Sequence, residues 1–298
     1  MLFLDGVGLG GDDPEVNPFA RARTPHLDAL AGGAWTAGFA GRDDARTLQA
    51  LDTTFGVAGL PQSATGQAAL LTGRDAVAAM GRPYGPWPGP TLARLLEAGG
   101  AFHDAVAAGG ALLANGYPRR YLDALAAPDR ARRRLRPPAS VVAARAAGLA
   151  LHDEDVVARG AAVVADLGFG DGTAPGVAPD VWARPLAALA RDHALTYLDV
   201  WITDRVGHRA DPKLATALVE RVDAVIGALA ARLDGVTLVV VSDHGNLEDA
   251  GSPRHTRAPV PLVALGPAAP AFAAARDLRD VLPALRRAWG LAPLPRAA

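Results

Sequence analysis

One apolar run constrains this chain more than any other feature, because it ends abruptly at metal-type side chains. Residues 236–241 are all aliphatic or β-branched, and after Ser242 come Asp243, His244 and Gly245. Such a run is typical of a strand buried on both faces of a parallel sheet. Open α/β sheets bind ligands at the carboxyl ends of their strands. A single Asp–His pair is also compatible with a helix cap and a surface imidazole, so its meaning depends on the other strand ends.

Two more predicted strands end in the same way. Residues 2–4 lead to an acid and a glycine, residues 194–203 lead to an acid with a histidine four positions on, and a further histidine precedes a predicted strand at 259–265. The candidate ligands are Asp5, Asp204, His208, Asp243, His244 and His255. Each alone has an ordinary explanation as a cap or a satisfied core histidine. Together, six carboxylate and imidazole groups suit two divalent ions such as Zn²⁺ or Mn²⁺.

Strand and helix patterns alternate along the chain. Thr24 and Pro25 begin one predicted helix and Gly32 ends it, and Asp211 caps a long helix whose apolar residues keep helical spacing up to position 233. A small polar loop is predicted at 61–67, before a helix that starts near Ala68. This alternation predicts an α/β fold with a largely parallel sheet.

Composition excludes several classes of function. The chain has 298 residues, a formal net charge of −1 and no cysteine. The charge gives no electrostatic reason to expect nucleic acid or an anionic membrane as partner, and without cysteine there are no disulfides or thiolate sites. No stretch approaches the roughly 20 apolar residues of a membrane span, and no signal peptide precedes the first strand, so we expect a cytoplasmic protein. That strand has almost no lead-in, which leaves open a native start upstream of Met1.

The middle of the chain, about 101–190, carries no sharp motif. A basic cluster within it comprises Arg130, Arg132, Arg133, Arg134 and Arg136. We interpret the cluster as a solvated loop or helix end, with contact to a substrate anion as the alternative. Stacking aromatic residues do not accompany it, which argues against nucleic-acid binding.

Six motifs occur in the order found in a known superfamily. They are Leu4-Asp5-Gly6-Val7-Gly8, Thr24-Pro25-His26-Leu27-Asp28-Ala29-Leu30, Gln62-Ser63-Ala64-Thr65-Gly66-Gln67, Asp204-Arg205-Val206-Gly207-His208, Ser242-Asp243-His244-Gly245-Asn246 and His255-Thr256-Arg257-Ala258-Pro259-Val260-Pro261. The chain thereby resembles the alkaline phosphatase superfamily, in its branch with cofactor-independent phosphoglycerate mutase and phosphopentomutase. The resemblance covers about residues 2–75 and 194–290, and it implies a three-layer α/β/α sandwich.

The resemblance also implies roles for individual residues. One metal ion would be held by Asp204, His208 and His255, and the second by Asp5, Asp243, His244 and the oxygen of the nucleophile. The family nucleophile is a Ser or Thr three residues before a Gly, which corresponds to Ser63, with Thr65 as the rival. Mn²⁺ or Zn²⁺ would be the ions, with Mg²⁺ possible. We further expect substrate contacts from Thr65, Gln67 and Asn246.

These roles imply a two-metal phosphoryl transfer through a phosphoserine, with a small phosphorylated metabolite as substrate. A metal activates a serine hydroxyl that is otherwise a weak nucleophile, and two cations about 4 Å apart stabilise the attacking and leaving oxygens. The alternatives are a phosphomutase and a metal-bearing binder without catalysis. A sulfatase is disfavoured because the sulfatase C/S-x-P-x-R context is absent. The oligomeric state stays open.

The chain departs from the family pattern in two ways. Gln67 stands where the branch usually has a histidine. The interval between the nucleophile and Asp204 must also supply core elements, so we expect one domain over 1–298 with at most a small lid within about 101–190. A mutase must retain its dephosphorylated intermediate for the return transfer. We therefore favour a hydrolase over a mutase.

Overall fold

The structure is a computed structural model that describes residues 1–127, 135–170 and 177–294. Four arginines of the predicted basic cluster (Arg130, Arg132, Arg133 and Arg134) lie outside these residues. Among the helices of the described part, none has both the length and the apolar character that crossing a bilayer requires.

All seven strands of the described residues form one sheet. They are β1 (Leu2–Leu4), β2 (Gly41–Asp43), β3 (Arg46–Leu51), β4 (Ala111–Leu113), β5 (Leu195–Val200), β6 (Leu238–Val241) and β7 (Val260–Leu265), in the spatial order β2-β3-β7-β6-β1-β5-β4. The short internal strand β1 pairs in parallel with both β5 and β6, with Leu2 opposite Leu198 on one side and Val240 on the other. The strand predicted from the run at 236–241 is thus confirmed from Leu238 onwards, as the middle strand of the seven.

The sheet is mixed rather than largely parallel in its pairings. β4, β5, β1 and β6 run parallel, whereas β7 is antiparallel to β6 and to β3, and β2 is antiparallel to β3. A two-residue connection joins β2 to β3, and no helix lies between β6 and β7. The short β2–β3 connection permits only antiparallel pairing, since a parallel pair needs a crossover of a dozen or more residues. The α/β class itself is confirmed.

Helices cover both faces of the sheet. They are α1 (Pro18–Arg21), α2 (Pro25–Ala31), α3 (Ser63–Thr72), α4 (Ala76–Met80), α5 (Pro90–Glu97), α6 (Ala101–Gly109), α7 (Arg119–Ala126), α8 (Ala139–Ala146), α9 (Glu154–Ala158), α10 (Asp180–Arg191), α11 (Ile202–Gly207), α12 (Pro212–Ala230) and α13 (Val281–Ala288). Successive side chains of β1 point to opposite faces. Leu2 and Leu4 accordingly pack in the core with α10 and α12, and Phe3 packs in the core with α3, α5 and α13. The result is the predicted three-layer sandwich.

Helix α3 begins earlier than the sequence predicted. Its ten residues, from Ser63 to Thr72, are all buried, so no polar face produces a helical period in the sequence. The predicted loop at 61–67 is therefore wrong from Ser63 onwards. A close approach requires Gly66, since a Cβ there would lie 2.9 Å from the backbone oxygen of Asp243. Helix α3 is thus pressed against the end of β6.

The middle of the chain contributes to both cores. Strand β4 adds the outermost strand on the β5 side, Phe102 and Val141 pack in one core, and Phe169 and Trp182 pack in the other. In the described parts of 101–190, the only strand belongs to the main sheet. The division into domains stays a prediction.

Candidate metal centre

The candidate ligands are carried past the carboxyl ends of three adjacent strands. Asp5 follows β1, Asp204 lies in the first turn of α11 just after β5, and Asp243 and His244 follow β6. His255 comes from the connection between β6 and β7. Gly6 allows the chain to turn immediately after Asp5, because its φ is +68° and a Cβ there would lie 2.7 Å from Asp204 Oδ1. The adjacency of β5, β1 and β6 therefore brings distant sequence positions to one place.

The first cluster consists of Asp204, His208 and His255. One helical turn separates Asp204 from His208, which puts both on one face of α11. His208 Nε2 is 3.2 Å from Asp204 Oδ2, and His255 Nε2 is 3.6 Å from Asp204 Oδ1. The two Nε2 atoms are 3.2 Å apart. Each ring is oriented through its Nδ1, which lies 2.7 Å from Pro253 O in His208 and 2.8 Å from Pro61 O in His255. Such bonds to the second nitrogen are typical of metal-ligating histidines.

The second cluster consists of Asp5, Asp243 and His244. His244 Nε2 lies 3.4 Å from Asp5 Oδ1 and 3.8 Å from Asp243 Oδ2. Asp243 and His244 are fully buried. In each cluster, the three candidate ligand atoms lie within 4.8 Å of one another. Each set is therefore compact enough to bind one ion.

Burial and like charge act together on the carboxylates of the second cluster. Burial, then the charges of Asp243 and Asp204, raise the pKa of Asp5 well above its usual range. Burial, followed by the charge of Asp204, raises the pKa of Asp243 to about 7. Asp5 Oδ1 is buried without a hydrogen-bond partner among the described residues. A buried carboxylate oxygen needs such a partner or a cation, so this donor set fits a divalent ion.

In the first cluster the pKa of the carboxylate is lowered, whereas in the second cluster the carboxylate pKa values are raised. Burial alone would raise the pKa of Asp204, but hydrogen bonds from His208 and Asn246 and the charge of His244 lower it to about 2. The hydrogen bond to Asp204 raises the pKa of His208 to about 9. Burial, and then the neighbouring His244, lower the pKa of His255. Asp204 therefore stays anionic, as a metal ligand must.

The structure distinguishes clearly between the two candidate nucleophiles. Ser63 is the first residue of α3, and its Oγ lies 2.9 Å from His244 Nε2. Gln62, rather than Ser63, occupies the N-cap position, so the serine is not a cap. The hydroxyl of Thr65 donates to Gln62 O at 3.1 Å and accepts from Tyr84 N at 3.2 Å. Only the Ser63 oxygen touches a candidate ligand.

Gln67 and Asn246 are placed against ligands rather than in open space. The Gln67 amide donates to Asp243 Oδ2 at 3.2 Å, with Asp5 Oδ2 at 3.4 Å. The Asn246 amide is fully buried and donates to Asp204 Oδ1 at 2.7 Å. The two amide nitrogens, like the Thr65 hydroxyl, therefore have partners within the protein, whereas Asn246 Oδ1 is buried without a hydrogen-bond partner among the described residues. Gln67 and Asn246 each donate a hydrogen bond to a candidate ligand, and substrate contacts from Thr65, Gln67 and Asn246 stay a prediction.

Glu248 is a site residue that the sequence did not reveal. Its Oε2 accepts from Gly8 N at 2.9 Å and from Asn246 N at 2.8 Å, and its Oε1 accepts from the Thr256 hydroxyl. Only 3% of Glu248 is exposed. One carboxylate thus connects the three segments that carry Asp5, His244 and His255. An acid two positions after Asn246 was the only signal, and no local pattern identified its partners.

The fold and the two clusters define an α/β protein with a candidate two-metal centre, and the comparisons agree. Residues 178–287 match the family model of the Metalloenzyme superfamily. The 2,3-bisphosphoglycerate-independent phosphoglycerate mutase of Halobacterium salinarum is 39% identical over 125 residues, which are 38% of this chain and 25% of that protein. The enzyme of the same name from Cereibacter sphaeroides strain ATCC 17025 is 35% identical over 123 residues, 38% of this chain and 24% of that protein. The chain therefore spans about a quarter of the length of the curated relatives it matches.

Solved structures share the fold over almost the whole chain. The PH0037 protein from Pyrococcus horikoshii has a TM-score of 0.55 at 16% identity, covering 99% of this chain and 98% of that one. Phosphoglycerate mutase of Leishmania mexicana has a TM-score of 0.50 at 14% identity, with 98% and 96% covered. Alkaline phosphatase from the Antarctic bacterium TAB5 has a TM-score of 0.50 at 11% identity, with 98% and 97% covered.

The resemblance found in the motifs is confirmed. The chain resembles the metalloenzymes of the alkaline phosphatase superfamily and, among them, the cofactor-independent phosphoglycerate mutases. The family match and the two clusters imply divalent metal ions. The roles of individual residues stay predictions.

Proposed function

We propose that this protein is a two-metal phosphohydrolase that acts on a small phosphate ester through a phosphoserine at Ser63. The observation that carries the proposal is the position of Ser63 Oγ, 2.9 Å from His244 Nε2 in the second cluster. An attacking oxygen must lie against the ions that stabilise the reacting phosphoryl group. Ser63 meets that condition and Thr65 does not.

In this proposal each cluster binds one divalent ion. Asp204, His208 and His255 hold the first, and Asp5, Asp243 and His244, together with Ser63 Oγ, hold the second. Nitrogen and oxygen donors without thiolates favour Mn²⁺ or Zn²⁺ and admit Mg²⁺. When bound, the ions would neutralise charge on the phosphoryl oxygens and increase the nucleophilicity of the serine.

The chain's own residues orient the reaction. Helix α3 directs its amino end, and hence its dipole, at the position of the phosphoryl group. Ser63 Oγ attacks phosphorus while the bond to the leaving alcohol breaks, which produces a phosphoserine. Water then attacks the same phosphorus, and the bond to Ser63 Oγ breaks with release of inorganic phosphate. Burial of Ser63, which is 4% exposed, restricts the direction of approach.

A phosphomutase is the second candidate, and the match to phosphoglycerate mutases favours it. Hydrolysis is supported by the middle of the chain. In the described parts of 101–190, β4 joins the main sheet, and Phe102 and Trp182 contribute to the two main cores. A second sheet that would form a separate cap is not found in those parts. A small enclosure favours water as the acceptor, because nothing retains the alcohol for a return transfer.

A metal-bearing binder without catalysis is the third candidate. Six candidate ligands grouped in two compact clusters, and a serine oxygen in contact with one cluster, argue for retained chemistry. A binder would need the ligands but not the nucleophile.

Phosphorus NMR separates the three candidates. The protein, loaded in turn with Mn²⁺, Zn²⁺ or Mg²⁺, is incubated with 3-phosphoglycerate and with a panel of phosphorylated metabolites. Release of inorganic phosphate that disappears in Ser63→Ala supports the hydrolase. Conversion of 3-phosphoglycerate to its 2-phospho isomer without free phosphate identifies the mutase. Binding without either product identifies the binder.

A further inference from the structure

A cavity of about 720 Å³ lies beside the segment that contacts Ser63. Its walls are the loop 84–90, the helices α5 and α8, and residues 135–137. The candidate ligands do not line it. The cavity is thus a separate space, and its position relative to the nucleophile determines what it can hold.

The loop 84–90 is attached directly to the start of α3. Thr65 N donates to Tyr84 O at 3.0 Å, and Tyr84 N donates back to the Thr65 hydroxyl at 3.2 Å. A Cβ on Gly85 would lie 3.1 Å from Gln62 Cβ and 3.3 Å from Ser63 N. Tyr84 and Gly85 also line the cavity. One wall of the cavity therefore lies against the backbone at the start of α3, where the residue that we propose as the nucleophile is located.

The lining combines an aromatic face with positive charge. Trp87 is 43% exposed. The guanidinium carbon of Arg136 lies 5.7 Å from the centre of the Trp87 ring, and Arg145, on α8, lines the same cavity. Across the described residues, neither guanidinium forms an ion pair, and Glu97 is the only acid in the lining. An exposed indole, in a cavity lined by two guanidinium groups that form no ion pair with another described residue, is suited to a planar anion.

We propose that this cavity binds the leaving alcohol of the substrate, and that the alcohol carries an aromatic ring and an acidic group. The ring packs on Trp87 and the apolar wall, and the acid is bound by Arg136 and Arg145. This inference rests on the proposed function, because it places the phosphoryl end of the ester at Ser63. It adds a substrate class, the aryl phosphates with a carboxylate.

Three substrates of graded structure test the inference in the metal-loaded protein. They are methyl phosphate, phenyl phosphate and 4-carboxyphenyl phosphate. Trp87→Ala should lower kcat/KM for both aryl esters by about tenfold and leave methyl phosphate unchanged, since aromatic contacts contribute at about that level. The double change Arg136→Gln with Arg145→Gln should remove an advantage of about tenfold for the carboxylate over phenyl phosphate. Arg74→Gln, at an exposed arginine that does not line the cavity, is the control. Equal losses for all three substrates, or no loss for any, would overturn the inference.

A binding measurement separates this inference from the proposed function. Calorimetry with 4-carboxyphenyl phosphate is performed on metal-loaded Ser63→Ala and on Ser63→Ala combined with Trp87→Ala. We expect about tenfold weaker binding to the second protein. If wild type hydrolyses no ester but this difference is found, the proposed function fails and the cavity assignment stands. If esters are hydrolysed and the two proteins bind alike, or neither binds, the cavity assignment fails.

Discussion

The imidazole rings of His244 and His255 stack on each other, with their centres 3.8 Å apart and their planes inclined by 18°. His255 belongs to the first cluster and His244 to the second. The two candidate metal sites are therefore in direct contact through one ligand of each. Substitution of a ligand in one site should therefore also change metal binding at the other.

Substitution of Asp243 should reduce metal content and activity together. Asp243→Ala deletes an anionic ligand and leaves less negative charge to offset two cations. We expect elemental analysis to find less metal at both sites, with turnover reduced in parallel. Asp234→Ala, at an exposed acid before β6, is the matched control and should retain both. Full metal content in Asp243→Ala would contradict the two-metal assignment.

Removal of the Ser63 hydroxyl should separate metal binding from chemistry. Three other ligands remain in the second cluster, and water can complete an open site. Ser63→Ala should therefore keep most of its metal, while turnover falls by about three orders of magnitude or more because the covalent route is lost. Mass spectrometry after acid quenching should find no phosphoserine.

Thr65→Ala is the control for that change. It removes the hydrogen bonds to Gln62 and Tyr84, at a cost in stability of about 1 kcal/mol, yet phosphoserine should still be trapped. Near-normal turnover in Ser63→Ala together with an inactive Thr65→Ala would show that the nucleophile is wrongly assigned.

Glu248 should affect the metal sites without touching an ion. Glu248→Ala removes the acceptor shared by Gly8, Asn246 and Thr256, and we expect metal affinity to fall about 10- to 100-fold, as for other supporting residues of metal sites. Glu248→Gln retains one acceptor oxygen and should lie between Glu248→Ala and wild type in a calorimetric metal titration. A lower melting temperature with unchanged metal affinity would mean that Glu248 serves stability alone.

Much of this site was predictable because the strands that carry it have local signals. The run at 236–241, the acids that follow three strands and the histidines near strand ends identified all six ligand candidates. Chain order does not determine the antiparallel pairing of β7, which depends on contacts with β3 more than 200 residues away. The start of α3 was missed because the helix is buried on every side. Glu248 was missed because its partner Gly8 is 240 positions distant.

Asp199, a buried acid outside the two clusters, should make stability depend on pH. Burial raises its pKa to about 6. The folded state then binds more protons than the unfolded state between pH 4 and 6, so stability falls as pH rises through that range. Above pH 6, ionisation of Asp199 lowers the free energy of unfolding by about 2–3 kcal/mol, given an unfolded-state pKa of about 3.9.

Asp199→Asn should remove that dependence. The amide oxygen can still accept from the Ser140 hydroxyl, which donates to Asp199 in the native protein. Denaturant unfolding of the metal-free proteins should find the variant more stable above pH 6 and equal to wild type near pH 4. Asp192→Asn, at an exposed acid, should follow wild type throughout. If the free energy of unfolding depended on pH in the same way for Asp199→Asn and wild type, the assigned pKa would be wrong.

The position of β1 between β5 and β6 has a consequence for how the protein is made. Strand β1 leaves the ribosome before both of its neighbours, which are synthesised about 200 residues later. Pairings of such large sequence separation form slowly, because the intervening chain must first be closed into a loop. Until His255 has emerged, the nascent chain has neither a complete sheet nor a complete set of ligands. Metal uptake should therefore be a late event that reports completion of the fold.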